Sequence, residues 1–137
     1  MRIVFAGTSN FSSQHLSFIL DGGWEVEAVL SQPDKGAGRG KRIAPTATKT
    51  LAKAFNIKVL QPSFLRKNEP IEKEIKKINP DLILVVSYGL MVPKNILSIP
   101  RLGCINVHAS LLPRWRGAAP IERCILSGDK KSGITIM

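Results

Sequence analysis

The chain has 137 residues, of which 44% are hydrophobic and 22% are charged, a composition typical of one globular domain. No run approaches the roughly 20 apolar residues that a membrane-spanning helix needs. The N-terminus also lacks the extended apolar stretch of an export signal. We therefore expect a cytoplasmic protein with no membrane partner. We take it to be a monomer, although the sequence itself does not determine the oligomeric state.

The charge balance is the unusual bulk property. Twenty Lys and Arg residues stand against ten Asp and Glu, giving a formal net charge of +10. Such an excess favours an anionic partner, and nucleic acid is the leading candidate. The alternative is that lysine-rich helices simply solvate the surface, as the pattern of residues 72–77 around Ile71, Ile75 and Ile78 predicts for one helix.

Two cysteines are present, Cys104 and Cys124. They form neither a CxxC motif nor a His/Cys cluster with the spacing of metal ligands. We therefore expect two reduced, buried thiols and no metal site.

Apolar runs of strand length alternate with helical patterns, which predicts an α/β protein. The predicted strands cover residues 3–6, 26–31, 58–60, 82–87, 104–108 and 134–137. The predicted helices cover residues 11–20, 46–55, 69–78 and 119–126, with a shorter turn of helix after Pro93. We predict a Rossmann-like, doubly wound, mostly parallel sheet with helices on both faces.

The first predicted strand runs into Gly7-Thr8-Ser9-Asn10 and then a helix. This turn lacks the second and third glycines of the GxGxxG fingerprint, so it is a weak signal for a dinucleotide site. We expect Gly7 to permit a tight strand-to-helix turn and Ser9 or Asn10 to cap the helix.

Residues 31–45 read as the one long structureless connection, rich in glycine and basic side chains. Loops of this length tend to be functional or disordered. Four cations in it, Lys35, Arg39, Lys41 and Arg42, face a single acid, Asp34. These cations predict contacts to a phosphate backbone; the alternative is a solvated loop.

The stretch 106–120 carries the clearest chemical signal. Asn106 and His108 are two residues apart at the end of a predicted strand, so both side chains project from one face. An amide donor beside an imidazole suits acyl transfer to an amine, because one group stabilises an oxyanion and the other handles a proton. The alternative is a histidine with a purely structural role.

This stretch, Asn-x-His-x-Ser-Leu-Leu-Pro-x-x-Arg-Gly-x-Ala-Pro, resembles the signature of the folate-dependent formyltransferases, most closely the methionyl-tRNA formyltransferase family. The resemblance extends to three other short runs: Gln-Pro-Asp-Lys at 32–35, Gly-Arg-Gly-Lys at 38–41 and Val-Ser-Tyr-Gly at 86–89. It implies transfer of a formyl group from 10-formyltetrahydrofolate to the amino group of methionine on initiator methionyl-tRNA, in translation initiation.

The resemblance also implies roles for individual residues. Asn106 would stabilise the oxyanion and His108 would assist proton transfer, as the catalytic pair. The folate site would be lined by Ser110, Leu111, Leu112 and Pro113, with an apolar wall from Val86, Tyr88 and Leu90. The tRNA would be contacted by Lys35, Arg39, Lys41 and Arg42.

The resemblance further implies a third catalytic residue, an aspartate in a loop beyond the strand that starts at Gly133. The sequence stops at Met137, inside that strand. We therefore expect residues 1–137 to be a formyltransferase catalytic domain cut before the aspartate loop and a C-terminal tRNA-binding β-barrel. Asp129 lies before the strand and does not match the missing residue. Ser9-Asn10 also departs from the family's usual Pro-Asp.

Alternatives remain within the resemblance. The signature is shared by relatives that formylate glycinamide ribonucleotide or nucleotide-linked amino sugars, and by relatives that act within folate dehydrogenases. A small substrate, however, has no need of the basic segment at residues 35–42. A piece that binds nucleic acid without turnover is the alternative from another class.

Overall fold

The computed structural model describes residues 1–37 and 42–137. In chain order, its elements are β1 (Arg2–Gly7), α1 (Asn10–Asp21), β2 (Glu25–Leu30), β3 (Lys35–Ala37), β4 (Arg42–Ala44), α2 (Ala47–Ala54), β5 (Lys58–Leu60), α3 (Glu69–Ile78), β6 (Leu82–Val86), α4 (Lys94–Leu97), β7 (Cys104–His108), α5 (Pro120–Leu126) and β8 (Thr135–Ile136).

The main sheet has the strand order β5-β2-β1-β6-β7-β8. All neighbouring strands in it are parallel except β7 and β8, which are antiparallel. Because β1 is central and its two neighbours come from different parts of the chain, the strand order reverses between β1 and β6. This is the predicted Rossmann-like, mostly parallel sheet. Each predicted strand and helix has a counterpart with nearly the same bounds, whereas β3 and β4 were not predicted.

Apolar side chains alternate along the central strands and build one core on each face. Ile3 and Phe5 of β1 pack with Leu16 of α1 and Ala52 of α2. The intervening Val4 and Ala6, with Ile83 of β6, pack against Ile75 and Ile96 on the other face. Helices α1 and α2 therefore cover one face and α3 and α4 the other, as a doubly wound sheet requires.

The turn after β1 brings α1 very close to the sheet. A Cβ at Gly7 would lie 2.6 Å from the Cβ of Ser12 and 2.8 Å from the carbonyl oxygen of Val86. Ser9 caps α1 by accepting a hydrogen bond from the backbone N–H of Ser12. The Ser12 hydroxyl in turn donates to the Val86 carbonyl. The turn therefore needs a glycine for close approach, and the predicted cap at Ser9 is confirmed.

The connection between β2 and α2 is not structureless, so that expectation was wrong. β3 and β4 pair antiparallel, with Lys35 opposite Ala44 and Gly36 opposite Ile43. Strands of three residues in a glycine-rich run are too short to show an alternating pattern. Arg39 and Lys41, which the sequence assigned to this basic segment, lie outside the described residues, as does the side chain of Arg42.

Other expectations concern thiols and membranes. Both cysteines are free, Cys124 buried and Cys104 only partly so, and burial raises the pKa of the Cys104 thiol. Within residues 1–37 and 42–137, no helix is long and apolar enough to cross a membrane.

Tyr88, the only tyrosine of the chain, has an unsatisfied hydroxyl. Its side chain is 2% exposed, within the core on the α3 face. The hydroxyl has no hydrogen-bond partner among the described residues. A buried polar atom of this kind costs roughly 1–3 kcal/mol of stability. Burial also raises the pKa of Tyr88 from 10.0 to about 12, because the phenolate is poorly solvated there.

We predict that Tyr88→Phe raises the free energy of unfolding at neutral pH, because it removes the unsatisfied hydroxyl. The raised pKa gives a second signature. Below pH ~10, tyrosine is neutral in both states and contributes no pH dependence. Between pH 10 and about 12 only the unfolded protein ionises at Tyr88, so wild-type stability falls with rising pH.

The measurement is urea unfolding of both proteins on either side of pH ~10. Lysine and arginine titrate alike in the two proteins, so the difference between them isolates Tyr88. A constant difference across this range, or a tyrosinate absorbance midpoint near pH ~10 in the folded protein, would show that the hydroxyl is solvated.

Candidate active site

A cavity of about 940 Å³ opens at the carboxyl ends of β1, β6 and β7. Its walls come from the turn after β1, the segment that follows β6, the end of β7 and the loop that leads into α5. In open parallel sheets, ligands bind at this edge and at the point where the strand order reverses. The cavity therefore lies where the topology predicts a ligand site.

The backbone of Asn106 is hydrogen-bonded on both sides, because β7 lies between β6 and the C-terminal strand. Asn106 is the register partner of Val85 on β6. On the other side, its N–H donates to the Met137 carbonyl at 2.7 Å and its carbonyl accepts from the Met137 N–H at 3.0 Å. Asn106 borders the cavity, and its side chain makes no hydrogen bond to any residue in the described ranges. Its amide is therefore available to a ligand.

His108 ends β7 and also borders the cavity. Asn106 and His108 thus meet at one site, which Val107 between them also borders. The Nε2 of His108 lies 3.0 Å from the backbone carbonyl oxygen of Trp115. A carbonyl oxygen only accepts, so Nε2 carries the proton and donates this bond. In the neutral imidazole, Nδ1 is then the nitrogen with a lone pair for proton transfer.

The run 110–113 contributes less to the cavity than the sequence predicted. Of its four residues, Leu112 borders the cavity, whereas Leu111 and Pro113 are exposed. Ser110 is buried; its hydroxyl donates to the Arg114 carbonyl at 2.7 Å, and its own carbonyl accepts from the Thr135 hydroxyl. The contacts of Ser110 therefore fix the loop after β7.

The predicted apolar wall needs one correction. Leu90 and Tyr88 border the cavity, although the ring of Tyr88 is in the core. Val86 does not border it: this side chain is fully buried in the core on the α1 face. Strand alternation gives that place to Val85 instead. The wall is completed by residues that the sequence did not single out, Phe11 and Met91 among them.

The basic segment, residues 35–42, begins near this cavity. Lys35 is exposed, and its Nζ donates to the Gln32 side-chain oxygen at 2.8 Å. The Gln32 side-chain N–H donates to the Tyr88 carbonyl at 3.1 Å. Asp34 pairs with Lys49 and accepts from Gln61; the hydrogen bond from Lys49 is the main reason that the pKa of Asp34 is lowered. The start of the segment is thus bonded to the segment after β6.

A charged cluster beside the cavity was also missed. Arg114 forms two hydrogen bonds to the carboxylate of Asp129, at 2.7 and 2.6 Å. Trp115 donates its indole N–H to the same carboxylate at 2.7 Å. The hydrogen bond from Arg114 is the main cause that lowers the pKa of Asp129 to about 2. No sequence spacing rule predicts contacts between these residues.

No group of three or more potential metal ligands (His, Cys, Asp or Glu) occurs within the described part of the chain. Two further charged residues, Arg116 and Glu122, border the cavity. The site therefore offers an amide, an imidazole, one cation and one anion around a mainly apolar wall.

Comparison with solved structures agrees with the fold. Phosphoribosylglycinamide formyltransferase from Bacillus halodurans superposes with a TM-score of 0.76 at 19% identity, over 99% of this chain and 70% of that one. Glycinamide ribonucleotide transformylase 1 from Symbiobacterium toebii gives 0.75 at 20% identity, over 99% of this chain and 64% of that one. At these identities the likeness shows a shared fold.

Sequence relatives are much closer. The chain is 56% identical over all 137 residues to methionyl-tRNA formyltransferase of Pseudomonas putida strain W619, and spans 44% of that protein. The enzyme of the same name from Pseudomonas fluorescens strain Pf0-1 is 55% identical, with 43% of its length spanned. The chain therefore spans less than half the length of these relatives. The family model described as formyl transferase matches residues 1–137, and the chain belongs to the formyl transferase family.

Proposed function

We propose that this chain supplies the catalytic cavity of an enzyme that moves a formyl group from 10-formyltetrahydrofolate to the amino group of methionine on initiator methionyl-tRNA. The observation that carries the proposal is its 56% identity, along the whole chain, to proteins named methionyl-tRNA formyltransferase. The geometry supports it, because Asn106 and His108 border one cavity.

The cavity suits a flat, partly apolar donor. Ligand sites of roughly 300–1,000 Å³ with apolar walls and a few polar groups bind molecules of this size. Phe11, Leu90 and Met91 supply apolar surface, and Asn106 supplies a free amide. 10-Formyltetrahydrofolate presents a reduced pterin ring to such a wall, and the carbonyl of the formyl group on its N10 to such an amide. These residues therefore fit the donor that the family uses.

Asn106 contributes a preorganised hydrogen-bond donor. Its backbone is paired on both sides, to β6 and to Met137, so the side chain is anchored on a rigid strand. An amide N–H held in place beforehand stabilises the negative charge that develops on a carbonyl oxygen during acyl transfer. Removing one such donor typically lowers the rate by a factor of about 10²–10³.

His108 contributes the proton transfer. With Nε2 donating to Trp115, neutral His108 presents Nδ1 as the base. A base at this position can accept a proton from an amine as the nitrogen forms its new bond, and then return it to the leaving nitrogen. The pair thus covers the two requirements of formyl transfer to an amine.

The tRNA is the partner that the charge favours. A net charge of +10 attracts a polyanion, and the basic segment that starts at Lys35 leaves the same edge of the sheet as the cavity. We propose that Lys35, Arg39, Lys41 and Arg42 contact the tRNA backbone. This proposal implies a cytoplasmic enzyme, which we take to be a monomer.

We predict that His108→Ala and Asn106→Ala each lower the rate of formylation by about two or more orders of magnitude. The measurement is single-turnover formylation of charged initiator tRNA by the full-length protein that contains this chain. Asn95→Ala is the matched control, since Asn95 is exposed on α4 and bonds Glu72, away from the cavity.

Rates near that of the wild type for His108→Ala would contradict the catalytic role of His108. Formylation of glycinamide ribonucleotide, with none of charged tRNA, would instead identify a small amino substrate and overturn the proposed acceptor.

We predict that replacing Arg39, Lys41 and Arg42 together by alanine weakens tRNA binding and flattens its dependence on salt. Removal of one cation that binds a phosphate reduces the slope of log K against log salt by about 0.7–0.9. The measurement is tRNA affinity at several salt concentrations, again with the full-length protein.

A charge-matched control is Arg66, Lys73 and Lys77, replaced by alanine together. All three are exposed, at or just before α3, and their removal lowers the net charge equally. If both triple variants show the same slope, the effect comes from net charge, and the basic segment has no specific contact with tRNA.

A further inference from the structure

The cluster that Asp129 forms with Arg114 and Trp115 has no place in the mechanism above, yet it includes the residue whose backbone carbonyl bonds His108. The Trp115 carbonyl accepts the hydrogen bond from Nε2 of His108 at 3.0 Å. Whatever fixes this carbonyl therefore fixes the orientation of the imidazole and which of its nitrogens carries the proton.

Trp115 has an unfavourable backbone conformation. Its φ is +58°, in the left-handed region that bulky L-residues rarely adopt. Such a conformation persists only when surrounding contacts determine it. The loop gains no rigidity from a regular helix or strand here, since it lies between β7 and α5. The backbone on either side is held by the Ser110 hydroxyl, which donates to the Arg114 carbonyl, and by Arg123, which donates to the Arg116 carbonyl. At Trp115 itself, the contacts of the side chain add to these bonds.

Asp129 makes the most directional of these contacts. Its carboxylate accepts the indole N–H at 2.7 Å and both bonds from the Arg114 guanidinium. That guanidinium also lies over the Trp115 ring, 4.3 Å from its centroid, and Arg123 lies 4.9 Å from it. The Asp129 carboxylate thus bonds both the Trp115 indole and the Arg114 guanidinium that is stacked on it. Hydrogen bonds to a charged carboxylate are strong and directional.

We infer that Asp129 is a positioning residue: through Trp115, it fixes His108 with the proton on Nε2 and the lone pair on Nδ1. Tautomer selection by a hydrogen bond at the other ring nitrogen is a general way to prepare a histidine for proton transfer. The importance of this arrangement for catalysis rests on the proposed function, whereas the arrangement itself does not.

The chain contains only two histidines, and the second is a built-in reference. Nδ1 of His15 lies 2.8 Å from the Phe11 carbonyl oxygen, so by the same argument Nδ1 of His15 carries the proton. The two imidazoles are therefore expected in opposite tautomers. A long-range proton–nitrogen NMR spectrum of ¹⁵N-histidine-labelled protein, recorded about two pH units above the ordinary histidine pKa, distinguishes them.

In the wild type, we expect His108 to show one protonated nitrogen, Nε2, whose proton exchanges slowly with water. In Asp129→Ala, we expect a mixture of tautomers and about tenfold faster exchange of that proton, as the net contribution of one hydrogen bond implies. Asp129→Asn retains an acceptor for the indole and should recover part of the effect. His15 should be unchanged throughout.

Trp115→Phe is the second test, because it removes the indole N–H and retains a ring beneath the cations. Arg101→Ala is the control, since it removes another exposed arginine–aspartate pair, with Asp81, at the other end of β6. It should leave both histidine signals as they are in the wild type. Asp129 is only partly buried, so Asp129→Ala is expected to fold; an unchanged His15 signal confirms this.

The inference is overturned if His108 in Asp129→Ala and in Trp115→Phe keeps the wild-type tautomer and exchange rate, or if wild-type His108 carries its proton on Nδ1. Formylation by the full-length protein separates the two proposals. If the wild type formylates tRNA, Asp129→Ala should lower kcat with little change in KM. If the wild type does not formylate, the proposed function fails, while the NMR result still decides the role of Asp129.

Discussion

The parallel pairing of β1 with strands on both sides is the constraint on which the rest of the structure depends. Parallel neighbours cannot be joined by tight hairpins, so the chain must cross the sheet by helices, and these cover both faces. The carboxyl ends of the parallel strands then lie at one edge, where the order reverses between β1 and β6. The amide of Asn106 and the imidazole of His108 reach the cavity because β7 ends at that edge.

Much of this arrangement can be predicted from the sequence, because it depends on apolar side chains that repeat every two residues in strands and every 3.6 residues in helices. The continuous apolar run of β6 predicted a strand within the sheet, and the spacing of Ile71, Ile75 and Ile78 predicted the inner face of α3. Ile75 and Ile78 are indeed buried. The strict alternation of β7 was enough to place Asn106 and His108 on one face. In these elements, local pattern and tertiary structure agree.

The sequence failed where contacts are set by loop geometry. The β3–β4 hairpin has strands of three residues, too short for periodicity to show. Val86 was assigned to the cavity because it lies in the same motif as Tyr88, but one step along a strand moves a side chain to the opposite face. Ser110 was assigned to a ligand, although its hydroxyl is bonded to a backbone carbonyl. A positive φ at a tryptophan cannot be inferred from residue type.

The two polar groups of the site, Asn106 and His108, also differ in whether a regular strand or an irregular loop holds them. Asn106 is anchored by strand pairing, which a regular pattern encodes and the backbone maintains on its own. His108 stands at the end of that strand, and its ring is held by a carbonyl in an irregular loop. Such a loop has few backbone bonds to stabilise it, so side chains must do so. A carboxylate that binds both an indole and a guanidinium meets this need at the surface, where it costs little desolvation. The geometry of an imidazole at the cavity thus depends on a charge outside it.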